Sequence, residues 1–206
     1  MIKAIILDFG SVIYKSDWDR INKFFKEKQG FDIAIKDTKD EELIRIYNES
    51  DVGKEDFKKF FTRIKPELKN AENAIQHYRE AYARFKIINK ELLYYLKTLK
   101  KKYLLFGFTD TKRPHYEANI SAGVYEEFEK IFTSFEFGML KTHKDAFRKL
   151  SLELKKYKLK PEECIFIDDY LPNIENAKKA GYKTIHYPDF PKIDNLKKQV
   201  EELINK

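Results

Sequence analysis

A chain of 206 residues with 42% hydrophobic and 36% charged side chains has room for one ordinary domain, or for a core domain with a smaller insert, and enough apolar content to fill it. The net charge of +7 comes from lysines that alternate with glutamates over nearly every helix; it marks solvated faces and a mild preference for anionic ligands, without a basic tail or an RNA-binding motif. Cys164 is the single cysteine, no apolar run approaches membrane-spanning length, and no signal-peptide cleavage pattern follows Met1, so a cytoplasmic protein with no nucleic-acid or membrane partner is the expectation.

The chain opens on an apolar run, Ala4–Leu7, that stops at Asp8 and is followed by Phe9, Gly10 and Ser11. A short β-branched run ending in a carboxylate reads as a buried strand delivering one acid to a sheet edge. From about Asp17 to Lys86 only helical periodicity is found. Trp18, Ile21, Phe24 and Phe25 share one face, as do Phe57, Phe60, Phe61 and Ile64, and then Ala71, Ala74, Ile75, Tyr78, Tyr82 and Phe85. Gly30, Gly53 and Pro66 punctuate these helices. The pattern predicts a small helical bundle with an aromatic core.

From Asn89 strands and helices alternate. Leu92, Leu93, Leu96 and Leu99 mark a helix that Asn89 can cap. Tyr103–Phe108 is a second strand, ending in Thr109, Asp110 and Thr111, and Lys130–Thr133 is a third. Gly138–Lys141 reads as a turn before a helix from about Lys144 to Tyr157. Ile165–Ile167 is a fourth strand, ending in Asp168 and Asp169. A helix from about Asn173 to Ala180 stops at Gly181, Lys183–Tyr187 is a fifth strand, and Leu196, Val200 and Leu203 mark the last helix. Strands separated by helices imply a parallel sheet with helices on both faces.

If the strands are parallel, Asp8, Thr109, Asp168 and Asp169 meet at one sheet edge. Three carboxylates in one crevice repel one another unless a cation sits among them. Hard oxygen donors with no His or Cys cluster point to Mg²⁺, and Lys141 is the candidate positive charge facing a substrate. His77, His115, His143 and His186 show no metal-ligand spacing.

The order of these motifs resembles the haloacid dehalogenase-like hydrolase superfamily, and the insert is similar to the helical cap of its phosphoglycolate-phosphatase and epoxide-hydrolase-like subgroup. Asp8 in IILDFGSVI, Thr109 in LLFGFTDT, Lys141 in FEFGMLKTHKDAF and the Asp168–Asp169 pair in ECIFIDDYLPNIENAKKAG match the four motifs in order. The resemblance implies an α/β fold, a Rossmann-like doubly wound parallel sheet formed by residues 1–14 and 87–206, with an α-helical cap over 15–86. It implies that Asp8 is the nucleophile, attacking phosphorus to form an aspartyl phosphate. Thr109 and Lys141 would bind the phosphoryl group beside Asp110. Mg²⁺ would be held by Asp8, the Gly10 carbonyl and the Asp168–Asp169 pair, with Asp169 the first choice for the direct ligand. The substrate would be a small phosphorylated metabolite and the protein a monomer or homodimer.

Three positions depart from that pattern. Gly10 stands where most phosphatases of the family have a second aspartate that protonates the leaving group. Asp110 stands where Asn is common, and Thr142 where proline often follows the lysine. Asp110, Asp17 and Asp19 are alternative acids, although capping of a helix is expected of one of the latter two. The missing acid leaves open a binding or regulatory relative without turnover. Dehalogenases of the superfamily also lack the second aspartate, but they use no metal, which the acidic pair argues against.

Overall fold

The computed structural model describes residues 1–33, 35 and 38–205; Ala34, Lys36 and Asp37, within the expected insert, and Lys206 lie outside the described residues. Five parallel strands form the sheet: β1 (Ala4–Leu7) at its centre, then, past a short β2 (Tyr14–Ser16) and β3 (Lys86–Ile88), β4 (Leu104–Thr109), β5 (Lys130–Thr133), β6 (Cys164–Asp168) and β7 (Lys183–His186). Their order across the sheet is β5-β4-β1-β6-β7. The chain therefore leaves β1 for one side, β4 then β5, and later crosses to the other, β6 then β7. That reversal puts the ligand-binding crevice of an open α/β sheet at the carboxyl end of β1.

The strands alternate between two cores, as a pleated sheet covered on both faces must. Ala4, Ile6, Phe106, Phe108 and Phe166 point to one side; Ile5, Leu7, Leu105, Ile165 and Ile167 point to the other. Among the described residues, four helices lie between β2 and β3: α1 (Trp18–Gln29), α2 (Glu41–Ser50), α3 (Lys58–Ile64) and α4 (Ala71–Arg84). Side chains at residues 17, 40 and 70 cap α1, α2 and α4: Asp17 accepts from the Arg20 N–H, Asp40 from Leu43 and Asn70 from Asn73. Gly30 closes α1 at φ 78°, a left-handed conformation that suits glycine. Inside, Phe25 stacks on Phe61 and Phe57 on Phe60, and Tyr78 is almost fully enclosed.

The remaining helices flank the sheet: α5 (Lys90–Leu99), α6 (Arg113–Ser121), α7 (Ser134–Phe137), α8 (Ala146–Leu154), α9 (Leu171–Lys179) and α10 (Asp194–Ile204). Asn89 caps α5 as expected, accepting from the Leu92 N–H. The expected helix Lys144–Tyr157 is shorter: α8 stops at Leu154 and a single 3₁₀ turn, Lys155–Tyr157, follows. Three features had no counterpart in the sequence pattern. The four-residue α7 and α6 with its Pro114 lack a helical apolar stripe, and β2 and β3 are three-residue strands paired antiparallel, Tyr14 with Ile88 and Ser16 with Lys86. That ribbon carries the chain into and out of the helical insert.

Candidate active site

Register assembles the site. Leu7 lies opposite Gly107 on β4 and Ile167 on β6, so Asp8 and Asp168 leave adjacent strands side by side, with Thr109 one step further along β4. Phe9 turns away into the core, edge-on to Tyr125 at 4.8 Å. A side chain at Gly107 would collide with that ring, its Cβ lying 2.4 Å from Phe9; glycine there lets the segment after Asp8 pack against β4. The chain then reverses tightly, with the Phe9 carbonyl accepting from the Ile13 and Tyr14 N–H groups. Ser11 takes a left-handed φ of 56°, a conformation disfavoured for a non-glycine residue.

Lys141 is buried between two acids. Its Nζ donates to Asp8 Oδ1 at 2.6 Å and to Asp168 Oδ2 at 2.7 Å. Burial disfavours its charge, yet Asp8, Asp168 and Asp110 hold the ammonium well above its ordinary range. Asp8 moves the other way. Burial and repulsion from Asp168 and Asp169 push its carboxyl up to about 7 despite Lys141. Asp168 accepts three hydrogen bonds: Oδ1 from the Tyr170 N–H at 2.8 Å, and Oδ2 from Lys141 and from Asn173 Nδ2 at 3.1 Å. Asp169 is half-buried and has more freedom. Carboxylate oxygens of Asp8, Asp168 and Asp169 lie within 4.8 Å of one another.

That donor set fits a hard divalent cation. Three carboxylates and the nearby Asp110 face one lysine, which leaves negative charge uncompensated in a largely buried crevice. Asn173 Oδ1, beside the cluster, is buried without a hydrogen-bond partner among the described residues, an acceptor that water in a cation's hydration shell would satisfy.

The other sequence-selected residues find distinct places. Thr109 is buried at the end of β4, opposite Thr133. Asp110 does not point its acid freely at a ligand: Oδ1 accepts from the Lys141 backbone N–H at 2.9 Å, so it fixes the lysine loop. Asn176 on α9 secures the same loop, donating to the carbonyls of Lys141 at 3.3 Å and Thr142 at 2.9 Å, which supplies the stiffness expected of a proline at 142. Gly10 opens the crevice; a Cβ there would meet nothing nearer than Asp8 Oδ2 at 4.0 Å. Asp17 caps α1, the role expected of one of the two acids there.

Above the sheet edge, between it and the insert, is a cavity of about 460 Å³. Its floor includes Gly10, Ser11 and Asp110, and its wall Trp18, Tyr47, Tyr82, Asp51, Lys112 and His115. None of that wall was singled out in the sequence as a site. Trp18, expected on the inward face of α1, is 42% exposed and leans over Tyr82 and His115. His115, which metal-ligand spacing had passed over, stacks flat on Tyr82 at 3.9 Å, and burial holds its pKa well below the usual histidine range. The turn after α2 lies flush against α7: a Cβ on Gly53 would come within 2.5 Å of the Phe135 carbonyl, and Ser134 Oγ donates to the Asp51 carbonyl at 2.5 Å. This docking presents Asp51 Oδ2 to Lys112 Nζ at 2.5 Å. A lysine three residues after Thr109 is the one signal in the sequence that could have led here.

Comparison with known proteins identifies the family and the fold. The model of the haloacid dehalogenase-like hydrolases matches residues 2–181. The chain is 33% identical over 99 residues, 47% of its length, to the bifunctional riboflavin kinase/FMN phosphatase of Arabidopsis thaliana, and spans only 25% of that relative. It is 24% identical over 196 residues to D-ribitol-5-phosphate phosphatase of Bacteroides thetaiotaomicron, covering 89% of this chain and 91% of that one. The crystal structure of a HAD family enzyme from the same organism, in complex with magnesium and inorganic phosphate, superposes with a TM-score of 0.73 at 21% identity, over 95% of this chain and 99% of that one; this likeness is one of fold.

Proposed function

The chain belongs to the haloacid dehalogenase-like hydrolases, and we propose that it is a Mg²⁺-dependent phosphatase acting on a small phosphorylated metabolite. The observation that carries this reading is the buried Lys141 bridging Asp8 and Asp168, with three carboxylates converging within 4.8 Å. Phosphatase names among the relatives favour phosphoryl over carbon–halogen chemistry.

Asp8 is the nucleophile. Its carboxylate attacks phosphorus in line and displaces the alcohol, an acyl phosphate forms on it, and water hydrolyses that mixed anhydride. Asp8, Asp169 and the Gly10 carbonyl would hold Mg²⁺ with Asp168 behind them, and the bound ion offsets the repulsion between a carboxylate nucleophile and a phosphate dianion. Lys141 orients Asp8 and neutralises the phosphoryl oxygens, and Thr109 Oγ donates to them. Residues 15–86 act as a cap that closes over the sheet edge and excludes water, with the β2–β3 ribbon as its hinge.

The test is phosphate release from nitrophenyl phosphate. Turnover that requires Mg²⁺, stops in EDTA and is lost in Asp8→Asn is expected; purified protein inert across a broad phosphate panel with Mg²⁺ overturns the reading. Gly10 favours one other reading, a relative that binds Mg²⁺ and phosphate without turnover. Calorimetric binding with no phosphate release would establish it.

A further inference from the structure

A phosphatase without an acid at position 10 still has to protonate its leaving group when that group is an alkoxide. Building on the phosphatase reading above, the geometry points to Lys112 as the proton donor, held in place by Asp51 on the insert. Lys112 is three residues beyond Thr109 at the start of α6, and it lines the same cavity as Gly10 and Asp110. It therefore faces the space between the sheet edge and the insert, which in the phosphatase reading receives the leaving group. Although 2% exposed, its Nζ is paired with Asp51 Oδ2 at 2.5 Å and lies 3.6 Å from the centre of the Tyr47 ring. An ammonium has three protons; Asp51 takes one and the ring faces another, so one remains for a substrate oxygen.

Asp110, Tyr14, Tyr82 and His115, which also line the cavity, are committed to other partners. Asp110 accepts from the Lys141 backbone. Tyr14 and Tyr82 hydroxyls bond to each other, and Asn119 donates to Tyr14. His115 Nε2 is paired with the Tyr78 hydroxyl at 2.7 Å and is neutral. Lys112 differs from all of these. Burial lowers its pKa, which makes the ammonium a readier acid, while Asp51 secures it in the charged form before reaction.

The proton balance closes without another reagent. As Asp8 forms its bond to phosphorus and the ester P–O bond breaks, a proton passes from Lys112 Nζ to the departing oxygen, giving the alcohol and a neutral amine. The water that then hydrolyses the acyl phosphate returns its proton to that amine. Lys112 is the catalytic group and Asp51 its positioning residue. A carboxylate at residue 10 is the usual solution of the family; here the donor is a cation, completed only when the insert is docked.

The test is kcat/KM with Mg²⁺ over phosphate monoesters graded in leaving-group pKa, from nitrophenyl to simple alkyl, because kcat/KM reports the step in which the ester bond breaks. Wild type should show a shallow dependence. In Lys112→Gln the ratio of alkyl to nitrophenyl kcat/KM should fall ~10²-fold, the scale of a lost general acid. Lys112→Arg keeps the charge and the pairing with Asp51 but does not release a proton (pKa above about 12), so it should show the same fall. Adding Gly10→Asp to Lys112→Gln should recover at least ~10-fold of the alkyl rate. Equal loss on both classes of ester, or an alkyl rate preserved in Lys112→Arg, would overturn the proposal by reducing Lys112 to a structural or purely electrostatic role. A steep dependence in wild type overturns it with no variant needed. Failure of wild type to hydrolyse even nitrophenyl phosphate is a separate result, against the phosphatase reading itself.

Discussion

The edge of the sheet and the helical insert meet at one cavity but are built on opposite terms. At the edge, charge is concentrated and buried: Lys141 holds Asp8 and Asp168 at 2.6 and 2.7 Å, and burial together with the neighbouring acids raises the Asp8 carboxyl. The insert is held by rings. Phe25, Phe57, Phe60, Phe61 and Tyr78 pack face and edge at centroid distances between 4.9 and 6.3 Å, and ion pairs formed within it, such as Arg45 with Glu42 and Arg63 with Asp40, lie at its surface. The difference separates two tasks. Strand ends, fixed by register, suit chemistry that needs atoms held in line; a hydrophobic bundle on a two-stranded ribbon suits a part that must move and fit a variable leaving group.

Substituting Lys141 tests the electrostatic half most severely. Lys141→Ala leaves Asp8 and Asp168 buried without their counter-charge, and in Mg²⁺-free buffer it should cost about 3–5 kcal/mol of stability together with all measurable turnover. Chemical denaturation checks the first and phosphate release the second; wild-type stability in the variant would mean that the acids are not held by the lysine. Phe61→Ala tests the packed half. The ring is fully buried and stacked 5.4 Å from Phe25, so its loss should cost roughly 3–5 kcal/mol, with protease cleavage appearing first in the insert. Cleavage starting in the sheet would show that the two regions unfold as one.

Acidity should separate the regions more finely. In the metal-free fold the Asp8 carboxyl keeps its proton up to about 7, against an ordinary 3.8 when unfolded. Between those values the folded state binds more protons than the unfolded one, so this group makes stability fall as pH rises through the window. Mg²⁺ needs the ionised carboxylate, and its stabilising effect should therefore grow with pH. Melting with and without Mg²⁺ at about pH 5 and about pH 7 reads this directly; an equal Mg²⁺ shift at both would place the binding elsewhere. Trp18→Ala is the mildest change. The side chain is 42% exposed and covers Tyr82 and His115, so stability should move by less than about 1 kcal/mol while KM rises several-fold and kcat is nearly retained. An unchanged KM would remove Trp18 from the substrate wall.

Sequence and structure agree most closely at the sheet edge. Asp8, Thr109, Lys141 and the Asp168–Asp169 pair each end an apolar run or follow a glycine turn, and parallel strands leave such ends only one place to meet. Local pattern was enough there. It was not enough for Lys112 and Asp51, which are 61 residues apart and meet only because Gly53 lets the turn after α2 lie on Phe135. Trp18 follows the helical stripe of α1 but occupies its first turn, where the helix overhangs the cavity and has no core beneath it. Asp110 was legible as an acid beside the phosphoryl site; that it holds the Lys141 loop depends on a backbone hydrogen bond across two chain segments. Strands as short as β2 and β3 carry too few residues for a period to show.

The most direct test is to trap the intermediate. Protein turning over nitrophenyl phosphate with Mg²⁺, quenched with borohydride and digested, should yield the peptide containing residue 8 with its aspartate reduced to the alcohol, and no such peptide when Mg²⁺ is omitted. Active protein that gives unmodified Asp8, or reduction at a different carboxylate, would contradict Asp8 as the nucleophile.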